Sequence, residues 1–316
     1  MVIEELTKVF KEELEIFKSK VLSNLDDKDN VEISLTGKGV KIGVIDNYFH
    51  HCNNNIIINS KVDINNKIYN TQTYGRANLF CEKLVGRSVG LCLDAEVNVF
   101  DCRKNNITIV DGINNRLSDL TKGIKYFTNN NQMDIICIGS EIPITSNIKE
   151  KSLVNIKSLY AAIKDSYSKG IIIVVACGDN TIKGTIPARF SEVISVGNFD
   201  DKNILTSKSI KIDVTYASNS MKHYLEDGTL TSLQNGDSSS AAACVAGIIA
   251  LMKEQNKNLT KTDIINLFNL YCDKVNGNRI AQNIIIPNDY ILLQPSEDIT
   301  ESQKVLAEIA SLISVK

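Results

Sequence analysis

Histidine is nearly absent from this chain of 316 residues, occurring only as His50, His51 and His223. An imidazole acting as general base can therefore come only from those three positions. Neither sign of charge prevails: 35 Lys and Arg face 37 Asp and Glu, for a net charge of -2. That excludes the basic footprint of a nucleic-acid or anionic-membrane binder. No apolar run approaches the ~18 uninterrupted residues of a membrane span. The eight cysteines contain no C-x-x-C pair and no tight ligand spacing, so no metal site is expected. Several of them, Cys137 and Cys177 included, fall inside apolar runs. Reduced, buried thiols are expected, and a disulfide framework is not. No G-x-G-x-x-G opens a helix, and Gly37-Lys38-Gly39 precedes the first strand where a dinucleotide site needs it to follow. No cofactor is expected. Glu4 and Glu5 stand where a secretory signal carries positive charge, and no apolar core follows, so a cytoplasmic location is expected. No repeat, low-complexity tract or Pro/Gly/Ser linker divides the chain.

What is present is ordinary for a globular protein: 43% hydrophobic and 23% charged residues. Leu6, Val9, Phe10, Leu14, Phe17 and Val21 recur at helical spacing, predicting an amphipathic helix over 2–24. Short apolar runs near 40–46, 95–102, 133–139, 171–177 and 192–197 read as parallel strands buried on both faces. Helical patterns near 116–128 and 150–169 lie between them. The alternation predicts an α/β fold with a mostly parallel sheet covered by helices on both sides. Residues 239–253 are small or apolar all round, the pattern of a fully buried helix, and 259–272 follow as another, capped by Asn258 or Thr260. The expected organisation is a helical extension over 1–36, a main domain over 37–280, and an extension over 281–316 ending in an amphipathic helix.

The head of that buried helix is chemically distinctive. Asp237-Ser238-Ser239-Ser240-Ala241-Ala242-Ala243-Cys244-Val245-Ala246-Gly247 sets a hydroxyl at a helix N-terminus. Unpaired backbone N–H groups and the positive dipole end there would suit an oxyanion. Ser238, Ser239 and Ser240 could equally be plain helix caps. The stretch resembles the nucleophile motif G-T-S-M-A-A-P-H-V-A-G of the subtilisin-like serine protease (subtilase) family. Companion motifs follow in order over roughly 37–275. Val40-Lys41-Ile42-Gly43-Val44-Ile45-Asp46 resembles the aspartate strand, and Gly90-Leu91-Cys92-Leu93-Asp94-Ala95-Glu96-Val97 the G-V-A-P segment. Val174-Val175-Ala176-Cys177-Gly178-Asp179-Asn180 is similar to V-x-A-A-G-N. Ile186-Pro187-Ala188-Arg189-Phe190 with Glu192-Val193-Ile194-Ser195-Val196-Gly197 is similar to Y-P-A-x-x-P-E-V-I-S-V-G. The resemblance implies a subtilisin-like three-layer α/β/α fold, with Asp46 and Ser239 at two triad positions.

The same resemblance locates the departures. The family's H-G-T-x-V-A best matches Tyr74-Gly75-Arg76-Ala77-Asn78-Leu79, which puts Tyr74 at the histidine position. A phenol is a poor base at neutral pH. Losing the triad base costs about 10⁶-fold in turnover, a magnitude established on a subtilisin. The oxyanion-hole Asn falls on Asp179, or on Asn180 if the loop shifts by one. Loss of that donor costs roughly 10²–10³-fold, again a subtilisin figure. The substrate-lining S-L-G-G falls on Ile138, Gly139, Ser140 and Glu141, with Glu141 adding bulk and charge. His50 or His51 folding back between Asp46 and Ser239 is the rescue to consider; solvated loop histidines are the plain reading. His223 precedes the serine motif and could lie near the cleft.

These features predict a bacterial subtilase-like pseudoprotease that binds or regulates a peptide, a precursor or an active protease partner. The competing expectation is an active serine endopeptidase using Ser239 and Asp46 with a non-standard base. A peptide is expected to add as a strand along 134–141.

Overall fold

The computed structural model describes residues 35–47, 58, 60–63, 76–86, 89–102, 109–130, 133–145, 148–179, 182–199, 205–209, 211–218, 222–224, 230–232, 236–271, 273–275, 278–280, 304–306 and 308–310. The expected N-terminal helix over 2–24 lies outside them. Thr36 to Lys316 form one compact unit.

The strands, in chain order, are β1 (Lys41–Asp46), β2 (Ser60–Asp63), β3 (Glu96–Asp101), β4 (Ile135–Ile138), β5 (Ile142–Pro143), β6 (Ile172–Ala176), β7 (Thr185–Ile186) and β8 (Ile194–Phe199). They continue with β9 (Val214–Ala217), β10 (Lys222–Tyr224), β11 (Leu230–Ser232), β12 (Asp273–Val275) and β13 (Asn278–Ile280). The helices are α1 (Arg76–Val85), α2 (Ile109–Asn129), α3 (Glu150–Ser168), α4 (Ser238–Gln255) and α5 (Lys261–Tyr271). Among the described residues, nine strands join in the order β12-β13-β9-β8-β6-β4-β1-β3-β2. Every pair in that sheet is parallel except β12 with β13.

Two cores explain why the strands carry unbroken apolar runs. Successive side chains of a strand point to opposite faces. Ile42, Val44, Cys137, Val174 and Ala176 face one way, onto α1, α4 and α5. Ile45, Ile136, Ile138, Ile173 and Val175 face the other, onto α2 and α3. The result is the three-layer arrangement expected. Helix α4 is buried on nearly every side from Ser238 to Ala246, as its small residues require. Helix α2 begins earlier than its sequence pattern suggested, at Ile109. Strand β1 runs close to it: a Cβ built on Gly43 would lie 2.6 Å from the Phe127 ring. Helix α5 is capped by Thr260 and not by Asn258. Thr260 Oγ accepts from Asp263 N at 3.3 Å, and the Asp263 carboxylate accepts from Thr260 N at 2.8 Å, a reciprocal capping box.

Residues 304–306 and 308–310 are helical, and Val305 and Ile309 are buried in the α2–α3 core. No described helix is long and apolar enough to cross a membrane. The chain leaves β1 toward β2 and β3 on one side and later resumes at β4 on the other. In open parallel sheets a site forms at such a switch, beyond the carboxyl ends of the strands.

Candidate active site

Asp46, the last residue of β1, is fully buried, and its Oδ1 accepts from Asn47 N at 2.7 Å. Asn47 in turn fixes the next helix, since its carbonyl accepts from Ala77 N in the first turn of α1 at 3.1 Å. On the neighbouring strand β4, the chain leaves the sheet at Gly139. Its N–H donates to Ile45 O at 3.4 Å, and its carbonyl accepts from Ser239 Oγ at 3.2 Å. No side chain fits there: a Cβ on Gly139 would collide with the Phe80 ring from α1 and with Asp46 Oδ2. Gly139 thus borders both Asp46 and Ser239. Asp101 ends β3 in register with Asp46 and is also buried.

The N-terminus of α4 is dressed by two carboxylates. Asp237 is the N-cap; its side chain accepts from Ser240 N at 2.7 Å, and its carbonyl from Ala241 N at 3.0 Å. The three serines are therefore the first turn and not the cap, since a carboxylate precedes them in cap position. Asp179, beyond the end of β6, accepts from Ser238 N at 3.1 and 3.2 Å, from Ser238 Oγ at 3.2 Å and from Ser207 Oγ at 2.9 Å. Gly178 N donates to Ser238 Oγ at 3.2 Å. Asn198 in β8 holds the approach to the helix: its Nδ2 donates to Gly236 O at 3.1 Å, and its Oδ1 accepts from Ser218 Oγ at 2.6 Å. A helix N-terminus that could stabilise an oxyanion thus carries negative charge on both flanks.

Burial and this charge shape the thiols nearby. Burial first, and then the Asp46 carboxylate, push the Cys81 and Cys137 thiols well above the usual range. Cys177 is pushed to about 12 by burial, against a Ser207 hydrogen bond that lowers it and with Asp179 and Glu141 raising it further. Among the described residues, no group of His, Cys, Asp and Glu could hold a metal ion.

Of the residues singled out from sequence, Asp46, Gly139, Asp179 and Ser239 come together. Tyr74, Asn180, His50 and His51 lie outside the described residues. Helix α1 opens at Arg76, two residues after Tyr74, and contains no histidine. His223 lies on β10, opposite Thr231 of β11. Ile138 is a fully buried core residue, paired with Ile45 on one side and Val175 on the other. The expected strand addition along 134–141 fails over β4, because both edges of that strand are occupied. Only the stretch after it, Gly139 to Glu141, leaves the sheet at the cleft. Ser140 there is buried and Glu141 half-buried. Asn47, Phe80, Ser207 and Asn198 were not legible as site residues. Asp237 carried a readable signal, as an acid directly before a helix.

The model of the Subtilase family matches residues 37–269, which include every one of these groups. The chain belongs to the subtilase family. Solved structures agree in fold at low identity. The nisin leader peptidase NisP from Lactococcus lactis is 15% identical, with a TM-score of 0.63, covering 78% of this chain and 86% of its own. MycP1 from Mycobacterium smegmatis is 17% identical, with a TM-score of 0.63, covering 84% and 85%. A cold-adapted subtilisin-like serine proteinase is 18% identical, with a TM-score of 0.57, covering 80% and 88%. No curated protein matches this sequence. The subtilase fold accounts for the placement of the cleft: one carboxylate at the end of β1 and one hydroxyl at the head of α4.

Proposed function

We propose that this subtilase is a catalytically impaired pseudoprotease that binds or regulates a peptide, a precursor or an active protease partner. The observation carrying the reading is the Asp179 carboxylate, bound to Ser238 N at the head of α4. An ionised carboxylate accepts and cannot donate, so held on Ser238, next in the chain to Ser239, it opposes the negative charge of an acyl-transfer transition state. The lack of any histidine between His51 and His223 supports the same conclusion, as does Tyr74 at the motif position of the base. Peptide binding would fall to Gly139, Ser140 and Glu141. Related folds include a nisin leader peptidase and a prenylagaramide maturation protease, which favours a peptide or precursor as the bound class. The six described cysteines, all buried and none in a disulfide, favour a reducing compartment such as the cytoplasm.

A fluorophosphonate probe tests the proposal. The native protein should label negligibly, and Tyr74→His combined with Asp179→Asn should gain labelling that Ser239→Ala removes. Rapid labelling of the native chain, lost in Ser239→Ala, would sink it. That outcome would establish the second reading, an active endopeptidase with a non-standard base. One observation favours this second reading: Ser239 and Asp46 are still brought to the same glycine.

A further inference from the structure

The cleft lies at the carboxyl ends of the parallel strands, and the molecule has a second concavity at their amino ends. Asp134 directly precedes β4 and Ile171 directly precedes β6; with the end of α4 they border a recess of about 780 Å³. Met133, Lys169, Lys253, Lys257 and Thr260 are also among its walls. Three lysines against the one carboxylate of Asp134 give this recess a positive lining. It shares no residue with the cleft, so what it binds is independent of the fate of Ser239.

The three lysines are held differently. Lys169 pairs with Asp165 at 3.0 Å and Lys257 with Asp134 at 2.9 Å, and both are exposed. Lys253, in the last turn of α4, is only 3% exposed. Among the described residues its Nζ donates once, to Lys257 O at 2.9 Å, and to no carboxylate. An ammonium has three hydrogens to place, and a neutral amine has two together with a lone pair. The surroundings therefore favour the neutral form. Burial holds Lys253 below the ordinary lysine range; Asp134 opposes that effect, and the Lys257 ammonium adds to it. Desolvation and a neighbouring cation are two means by which proteins make a lysine amine nucleophilic.

We propose that Lys253 is a nucleophilic amine whose recess takes small oxo acids, which it holds as an imine. The nitrogen lone pair attacks the carbonyl carbon. The carbonyl oxygen leaves as water with the two hydrogens of the amine, and the C=N bond remains. No oxidant or reductant is consumed. The acid group of the ligand is drawn by Lys257 and Lys169, the exposed cations of the same recess, and a neutral aldehyde lacks that attraction.

The test treats the full native chain with glyoxylate and sodium cyanoborohydride, which reduces an imine to a stable carboxymethyl amine. Peptide mass spectrometry then gives the rate of modification at each lysine. Lys253 should be modified at least about tenfold faster than Lys169 or Lys257, the gain in free amine that one unit of lowered pKa supplies. Lys83 is the internal control: burial lowers it too, but it is fully enclosed and does not line the recess, so it should stay unmodified. With acetaldehyde in place of glyoxylate, the preference for Lys253 should fall severalfold. Modification of Lys253 no faster than that of Lys169 would overturn the proposal, and so would an undiminished preference with acetaldehyde. Lys83 modified as fast as Lys253 would overturn it as well, because the recess would then confer nothing.

Discussion

Gly139 and Asp237 each have a defined task at the cleft. The Gly139 carbonyl receives the Ser239 hydroxyl, and its missing Cβ leaves room for the Phe80 ring and Asp46 Oδ2. Gly139→Ala is therefore expected to cost about 1–3 kcal/mol through overpacking. Phe80→Leu should recover part of that loss in the double variant, since the two sites are in contact. Urea unfolding of the four proteins checks this, and a Gly139→Ala midpoint equal to the native one would refute it. Asp237→Ala removes the acceptor of Ser240 N and should cost about 1 kcal/mol in the same measurement. Asp46 and Ser239 could be named from motif order alone. Phe80 and Asn47 could not, because a ring and a backbone amide acquire their roles only when α1 is laid across the ends of β1 and β4.

At the level of elements, helices and strands alike carry buried thiols, and these are expected to weaken the fold at alkaline pH. Burial raises Cys81 in α1 and Cys137 in β4, and raises Cys92, Cys177 and Cys244 to about 12. An exposed thiol in the unfolded chain titrates near 8.5. Above that pH the unfolded state binds fewer protons than the folded one, so stability falls as pH rises from about 8.5 toward 12. Lys83 and Lys253 act in the opposite sense, because burial lowers them and stability from these groups grows as pH rises toward the ordinary lysine value. Five thiols against two lysines should leave a net loss. Urea midpoints under reducing conditions are expected to drop between pH 8 and 10, and a flat profile would contradict the argument. The strands β1, β3, β4, β6 and β8 and the helices α3, α4 and α5 were readable because burial on both faces or on one helical face dictates composition. Strands β9, β12 and β13 were not, being short and without such a pattern.

Across the whole molecule, distant parts of the chain close on one another. Glu254 at the end of α4 accepts from Thr36 N at 2.8 Å and Gly37 N at 2.7 Å, holding the start of the main unit. Near the other end, Glu308 pairs with Arg189 at 2.8 Å, while Val305 and Ile309 complete the α2–α3 core. Ile309→Ala should cost about 2–5 kcal/mol despite its distance in sequence from every motif. A native-like unfolding midpoint for that variant would show that the last helical turns contribute nothing to the core. By itself the sequence determined the layered α/β plan, the subtilase motifs and the shortage of histidine, because those depend on residue type and order. Only the tertiary structure decided that Asp179 binds the head of α4, that Gly139 borders both Asp46 and Ser239, and that Lys211 donates to the carbonyls of Ala188, Phe190 and Val193. Each of those depends on where separate segments meet in space, which local pattern does not encode.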